Sequence, residues 1–251
     1  LLAGCGEPDP AANPPGGTPE ASAPAGESEA AEQTETQKLN AWFDEKYEER
    51  VMMSPIQLTF LGRKDRYGEI DDMSYEAQKE QVDWQLASVA EMESTFDYDK
   101  LTPEAKNSWD IWKYQAELAE EGLQYFYNGY TFDQMNGPQS FLATFLIQFH
   151  RVDNLDDMEA YISRIRESGR AGEQLLTIAK EAASRGVATP DFALEGVIDQ
   201  SRKIITGAPF TDGEPSDIWA DIEMEISNLL EAGEIDEAQA EAIRATGASW
   251  L

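Results

Sequence analysis

The sequence predicts an all-α protein, a multi-helix array of about eight helices. Three observations carry this. Apolar residues recur at spacings of three and four, most plainly Ala105, Trp109, Trp112, Ala116, Ala119, Leu123 and Phe126, which form one stripe of a helix. Helix-start residues stand ahead of the periodic runs, as at Ser54-Pro55, Thr102-Pro103 and Thr189-Pro190. No alternating apolar and polar pattern runs beyond about four residues, so no segment reads as a strand.

The chain opens on Leu1-Leu-Ala-Gly-Cys5. An apolar residue, two small residues and a cysteine form the pattern of a bacterial lipoprotein processing site, with residues 1–4 as the remnant of a signal peptide. Cys5, the single cysteine, would carry the lipid and tie the protein to a membrane. There is no initial Met, so most of that signal is expected ahead of Leu1. Residues 5–36 read as a disordered tether. Half of the 12 prolines lie there, with seven acidic residues and no basic or aromatic one. Such a segment buries too little apolar surface to offset its conformational entropy. Position 6 is Gly and not Asp, so retention at an inner membrane is not signalled. The expected location is the cell envelope, at the outer membrane or cell surface.

Residues 37–251 are then a helical domain. The first helix spans 37–53. Ser54-Pro55 begins a short one that ends at Gly62, and a polar loop follows from Arg63 to Asp72. Ser74 caps a helix that reaches Phe96. Thr102-Pro103 opens the helix with the long apolar stripe, which Asn128-Gly129 stops. Asn136-Gly137-Pro138 forces a turn. The helix from Ser140 to Phe149 is apolar around most of its surface, so it should be buried on nearly all sides. Asn154 caps the next helix, with Asp156 and Asp157 suiting its positive end. Thr189-Pro190 starts another, a further one spans 217–232, and Asp236 with Gln239 makes a capping box for the last.

Composition excludes some functions. The formal charge is −30, from 49 acidic and 19 basic residues. Binding to nucleic acid depends on neutralising phosphates, so that partner is excluded. Anionic lipid would repel the body, which leaves anchoring to the lipid on Cys5. No run approaches about 18 apolar residues, the minimum for a membrane span. His150 is the only histidine. No His-Glu-x-x-His, Gly-x-Ser-x-Gly, Walker or Gly-x-Gly-x-x-Gly motif occurs, so the chain names no catalytic residue and no metal ligand.

The polar residues embedded around the apolar 140–149 segment are the candidate site. Gln134, Asn136, Gln139, His150 and Arg151 must find partners or line a cavity. They read either as the lining of a substrate cleft or as satisfied core and capping groups.

Several spaced motifs meet here: Phe132-Asp-Gln-Met-Asn-Gly-Pro-Gln139, Phe145-Leu146, His150-Arg-Val-Asp-Asn154 and Glu159-Ala-Tyr-Ile-Ser-Arg-Ile165. With Leu39-Asn-Ala-Trp-Phe-Asp-Glu-Lys-Tyr47 and the Ser54-to-Gly62 segment, the chain resembles the bacterial domain of unknown function 885 family over roughly residues 37–251. Members are often lipoproteins and are about twice as long. The resemblance implies an N-terminal half of a larger helical fold similar to a zinc-dependent, gluzincin-like peptidase. The His- and Glu-rich stretch that would bind zinc lies outside this sequence, so zinc is expected in the longer parent, none is expected in this chain, and no metal ligand carries over to any residue here. A missing C-terminal half and a peptide substrate are the partners implied. A non-enzymatic, surface-anchored helical binding or scaffold lipoprotein is the other reading.

Overall fold

The computed structural model describes residues 33–250. Cys5, the signal remnant and all but the last residues of the expected tether lie outside them. Among the described residues the chain forms nine α-helices and no strand: α1 (Glu35–Met52), α2 (Pro55–Phe60), α3 (Tyr75–Thr95), α4 (Pro103–Leu123), α5 (Pro138–Phe149), α6 (Leu155–Ser184), α7 (Asp191–Ile204), α8 (Asp217–Ala232) and α9 (Glu237–Trp250). No helix among them is long and apolar enough to cross a membrane.

Local chemistry explains the boundaries. The hydroxyls of Ser54, Ser74 and Thr102 accept the Gln57, Ala77 and Ala105 amides at the starts of α2, α3 and α4. Asn154 Oδ1 accepts the Asp157 amide, 3.0 Å away, at the start of α6. The Asp236–Gln239 box closes reciprocally at 2.9 and 2.8 Å. The first helix departs from expectation and begins at Glu35. Thr34 and Gln37 form a capping box, with the Thr34 amide donating to Gln37 Oε1 at 2.8 Å. This satisfies two amides that would otherwise be unpaired, and it draws the end of the tether segment into the helix. The α4 helix stops at Leu123, and a 3₁₀ turn at Phe126–Asn128 carries the chain on.

Two apolar cores result. Leu39 and Trp42 of α1, Met92 of α3, and Ala105 and Trp109 of α4 form one. Leu146 of α5, Tyr161 and Ile165 of α6, Ile222 and Ile226 of α8, and Ile243 of α9 belong to the other. In a third, smaller cluster Ile56 of α2 and Ile70 of the 63–72 loop pack with Phe145 and Ala171. That loop, polar in composition, therefore also supplies buried groups: Ile70 and Tyr67 are 3% and 9% exposed.

The expectation that α5 is buried on nearly all sides is corrected. Only Phe145 and Leu146 are buried, while Phe141 and Phe149 are 39% and 43% exposed. One face rests on α6 and α8. The other carries an aromatic cluster in which Phe60 of α2 meets Phe149 edge-on at 4.7 Å between ring centroids and Phe145 at 5.6 Å. Composition made the helix apolar all round, but packing partners were found on only part of its surface.

Candidate functional site

The segment from Phe132 to Asp153 is organised by backbone capture. Asp133 Oδ1 accepts the amides of Met135 and Asn136 at 2.7 and 2.8 Å, which sets the turn before α5. Gly137 follows. A Cβ there would collide with the Asp133 carbonyl and the Gln139 side-chain oxygen, so only glycine fits. Gln139 Nε2 donates to the Asp133 carbonyl and to Gln200 Oε1 of α7, both at 2.7 Å. Gln200 returns a bond from Nε2 to the Gln134 carbonyl at 2.8 Å. Thr189 caps the arrangement by donating to the Phe132 carbonyl at 2.7 Å.

These bonds shape one wall of a cavity of about 500 Å³. Helices α5, α6, α7 and α8 line it with Leu142, Leu146, Ile165, Leu176, Ile204 and Ile218, and Trp250 of α9 also contributes. No charged side chain reaches it, in a chain with 49 acidic residues. Two buried side-chain polar atoms among the described residues lack a hydrogen-bond partner, Gln139 Oε1 and Ser168 Oγ. Both residues line this cavity. Buried polar atoms are almost always paired, so these two, enclosed in the cavity wall, leave it with unmet hydrogen-bonding capacity.

On the other side of α5 lies a buried polar knot. Its centre is Arg164 of α6, fully buried. Its Nε–H donates to the Glu69 carbonyl at 3.0 Å, and Nη2 donates to Thr59 Oγ1 at 2.7 Å and to the Pro55 carbonyl at 3.3 Å. Nη1 donates to His150 Nδ1 at 2.9 Å. His150 Nε2–H in turn donates to the Asp157 carbonyl at 3.0 Å. A guanidinium can only donate and a carbonyl can only accept, so the two contacts fix the neutral tautomer with its proton on Nε2. Burial, with the Arg164 cation beside it, holds the imidazole down at about 4, from an ordinary 6.5. The ring stacks on Tyr67 at 4.1 Å and meets Tyr161 edge-on at 5.2 Å. Tyr161 O–H donates to Asp221 Oδ2 at 2.7 Å, and burial pushes that carboxyl above its ordinary range. Tyr67 binds the Arg151 backbone twice, accepting its amide at 2.7 Å and donating to its carbonyl at 3.0 Å.

The structure thus separates the sequence-derived residues. Gln139 lines the cavity. Gln134 is half-buried beside it and holds Gln200 through its carbonyl. Asn136 is exposed in the turn. His150 is in the buried knot with both ring nitrogens engaged. The Arg151 side chain is exposed, and its backbone is held by Tyr67. Sequence reasoning passed over Ser168, Gln200 and Arg164. A signal for two of them exists: Asp157, Tyr161, Arg164, Ser168 and Ala171 are spaced four, three, four and three apart along α6. That stripe faces inward although most of it is polar.

The family model described as "Bacterial protein of unknown function (DUF885)" matches residues 55–249. No curated protein and no solved structure matches the chain.

Proposed function

Because the chain belongs to the DUF885 family of bacterial proteins of unknown function, we propose that it forms the ligand-holding helical part of a lipid-anchored cell-envelope protein that resembles a zinc-dependent peptidase. The observation that carries the binding role is the uncharged 500 Å³ cavity beside Gln139, with its two unpartnered polar atoms. An apolar side chain of a peptide suits it. The hydrocarbon fills the lining, and rotation of the Gln139 amide and the Ser168 hydroxyl toward the cavity would let them pair with the flanking peptide group. Charged side chains would lose their hydration there without a counter-ion.

The described residues do not themselves fit a zinc ion. No group of three or more His, Cys, Asp or Glu side chains among them is placed to hold one, and both nitrogens of His150 are already engaged. Zinc enters this reading through the family resemblance, and its ligands would have to come from elsewhere in the full protein. The anchor is Cys5. Cys5→Ser is expected to move the exported protein from the membrane pellet to the soluble fraction, and its persistence in the pellet would contradict a lipid anchor.

The cavity is tested by titrating the chain with N-acetyl-leucinamide and N-acetyl-lysinamide while following backbone amides by NMR. Saturable shifts at Leu142, Ser168 and Leu176 are expected for the leucine compound, with binding weaker by about tenfold for the lysine one. No saturable shift at these positions, or equal binding of both, removes the reading. A non-enzymatic binding module would use the same cavity. Turnover of a leucine-bearing peptide by the full protein, against binding without turnover, separates the two.

A further inference from the structure

A second cavity, of about 690 Å³, opens between α1, α3 and α4 over the start of α2. Its lining comes from other helices than that of the apolar cavity and carries more polar groups. Five of its fourteen lining residues are glutamines: Gln57, Gln78, Gln81, Gln85 and Gln115. Glutamine makes up only 14 of the chain's 251 residues. Gln78, Gln81 and Gln85 are spaced three and four apart, so they form one stripe of α3. At Gln57 and Gln85 the backbone makes the local bonds, with the Ser54 and Ser88 hydroxyls, and the amides are left to the cleft.

The charge balance is as unusual as the amides. In a chain of formal charge −30, the lining holds one carboxylate, Asp71, and one cation, Arg50. Asp71 is already committed, accepting the Ser54 hydroxyl at 2.6 Å and the Ile56 amide at 2.9 Å. Two aromatic residues also line it, and Val51, Met53, Ser54, Leu118 and Ala119 make up the remainder. Trp84 is half-buried, its Nε1–H tied to Glu49 Oε2 at 3.1 Å, and Tyr47 is half-exposed.

We propose that this cleft binds a neutral saccharide. A primary amide donates and accepts at once, and so does each sugar hydroxyl, so five amides match a polyhydroxylated ring without any charge. The ring's C–H face has apolar surface to rest on at Trp84 and Tyr47. Acidic sugars are disfavoured by the field of the chain as a whole. The inference is independent of the peptide reading, because it concerns another cavity and another ligand class. Backbone capture of an extended peptide uses a sheet edge, and this cleft presents helix side chains instead.

The test is calorimetric titration of the full chain with cellotetraose, maltotetraose, chitotetraose, tetragalacturonate and tetra-alanine amide. At least one neutral saccharide is expected to bind with a Kd of about 1 mM or tighter, and the galacturonate about tenfold more weakly or not at all. Gln81→Ala combined with Gln115→Ala, both exposed positions, is expected to weaken that binding by about tenfold or more. Gln148→Ala, at an exposed position of α5, should leave it unchanged. Three outcomes overturn the proposal: no neutral saccharide binds at ~10 mM, the double variant binds as well as the parent, or tetra-alanine amide binds in place of the sugars.

Discussion

Arg164→Met is expected to lower the unfolding free energy by roughly 3–5 kcal/mol. Arg164 is 0% exposed, and its side chain ties together three segments: α2 through Thr59 and Pro55, the 63–72 loop through Glu69, and the end of α5 through His150. The guanidinium also lies over the rings of Tyr67 and Phe145, 4.7 and 5.1 Å from their centroids. Methionine fills much of the volume but donates to nothing. The Glu69 carbonyl and His150 Nδ1 each lose a donor, and a buried group left so costs about 1–3 kcal/mol. Thr59 and Pro55 lose less, because the Thr59 hydroxyl still donates to the Pro55 carbonyl at 3.0 Å. Relief of the buried charge offsets part of the loss. Burial already holds the guanidinium down at about 10, from an ordinary 12.5. Arg164→Lys should recover little, since one ammonium cannot reach acceptors arranged around a planar fork. Urea denaturation at neutral pH checks both. A loss below about 1 kcal/mol for the methionine variant would show that the knot contributes nothing beyond packing.

That knot also shows where sequence reading stops. Helix starts were legible because their causes are local: Ser74 and Ala77, Thr102 and Ala105, Asn154 and Asp157 lie three residues apart. The α4 stripe was legible because its period is set by the helix itself, and Ala105, Trp109 and Ala116 are indeed buried. Arg164 was not, since its acceptors Thr59 and Glu69 come from 105 and 95 residues away. The local run Tyr161-Ile162-Ser163-Arg164-Ile165 does not say that the arginine turns inward, and only the longer stripe from Asp157 to Ala171 places it on the inward face. The start of α1 was missed because Thr34 and Gln37 sit at the end of an acidic, proline-rich stretch whose composition outweighed a two-residue cap. The candidate site divided for a similar reason. Gln139 and His150 are eleven positions apart and flank the same helix, yet one opens on the α7 side and the other is sealed against Tyr67. Which face of α5 each would meet depends on neighbours that local sequence does not name.

His150 supplies the pH dependence. In the unfolded chain it takes up a proton near 6.5, but in the fold only at about 4. Between those values the unfolded state binds more protons. The neutral imidazole's contribution is therefore complete above about pH 6.5 and falls as the pH drops, by roughly 3 kcal/mol once pH 4 is reached. Asp221 works against this. Its carboxyl is raised by burial, so the fold takes up that proton at a higher pH than the unfolded chain does, and acidification stabilises it through this group. A denaturation series alone mixes the two, whereas the imidazole can be watched by itself because the chain has one histidine. Its Cε1–H resonance is expected to hold the neutral position at pH 5, with ¹⁵N shifts that place the proton on Nε2. A midpoint near 6.5, or a proton on Nδ1, would contradict the contacts with Arg164 and the Asp157 carbonyl. In Arg164→Met the midpoint should rise, because the same substitution removes the neighbouring cation and frees Nδ1 to be protonated. A midpoint unchanged in that variant would assign the depression to burial alone.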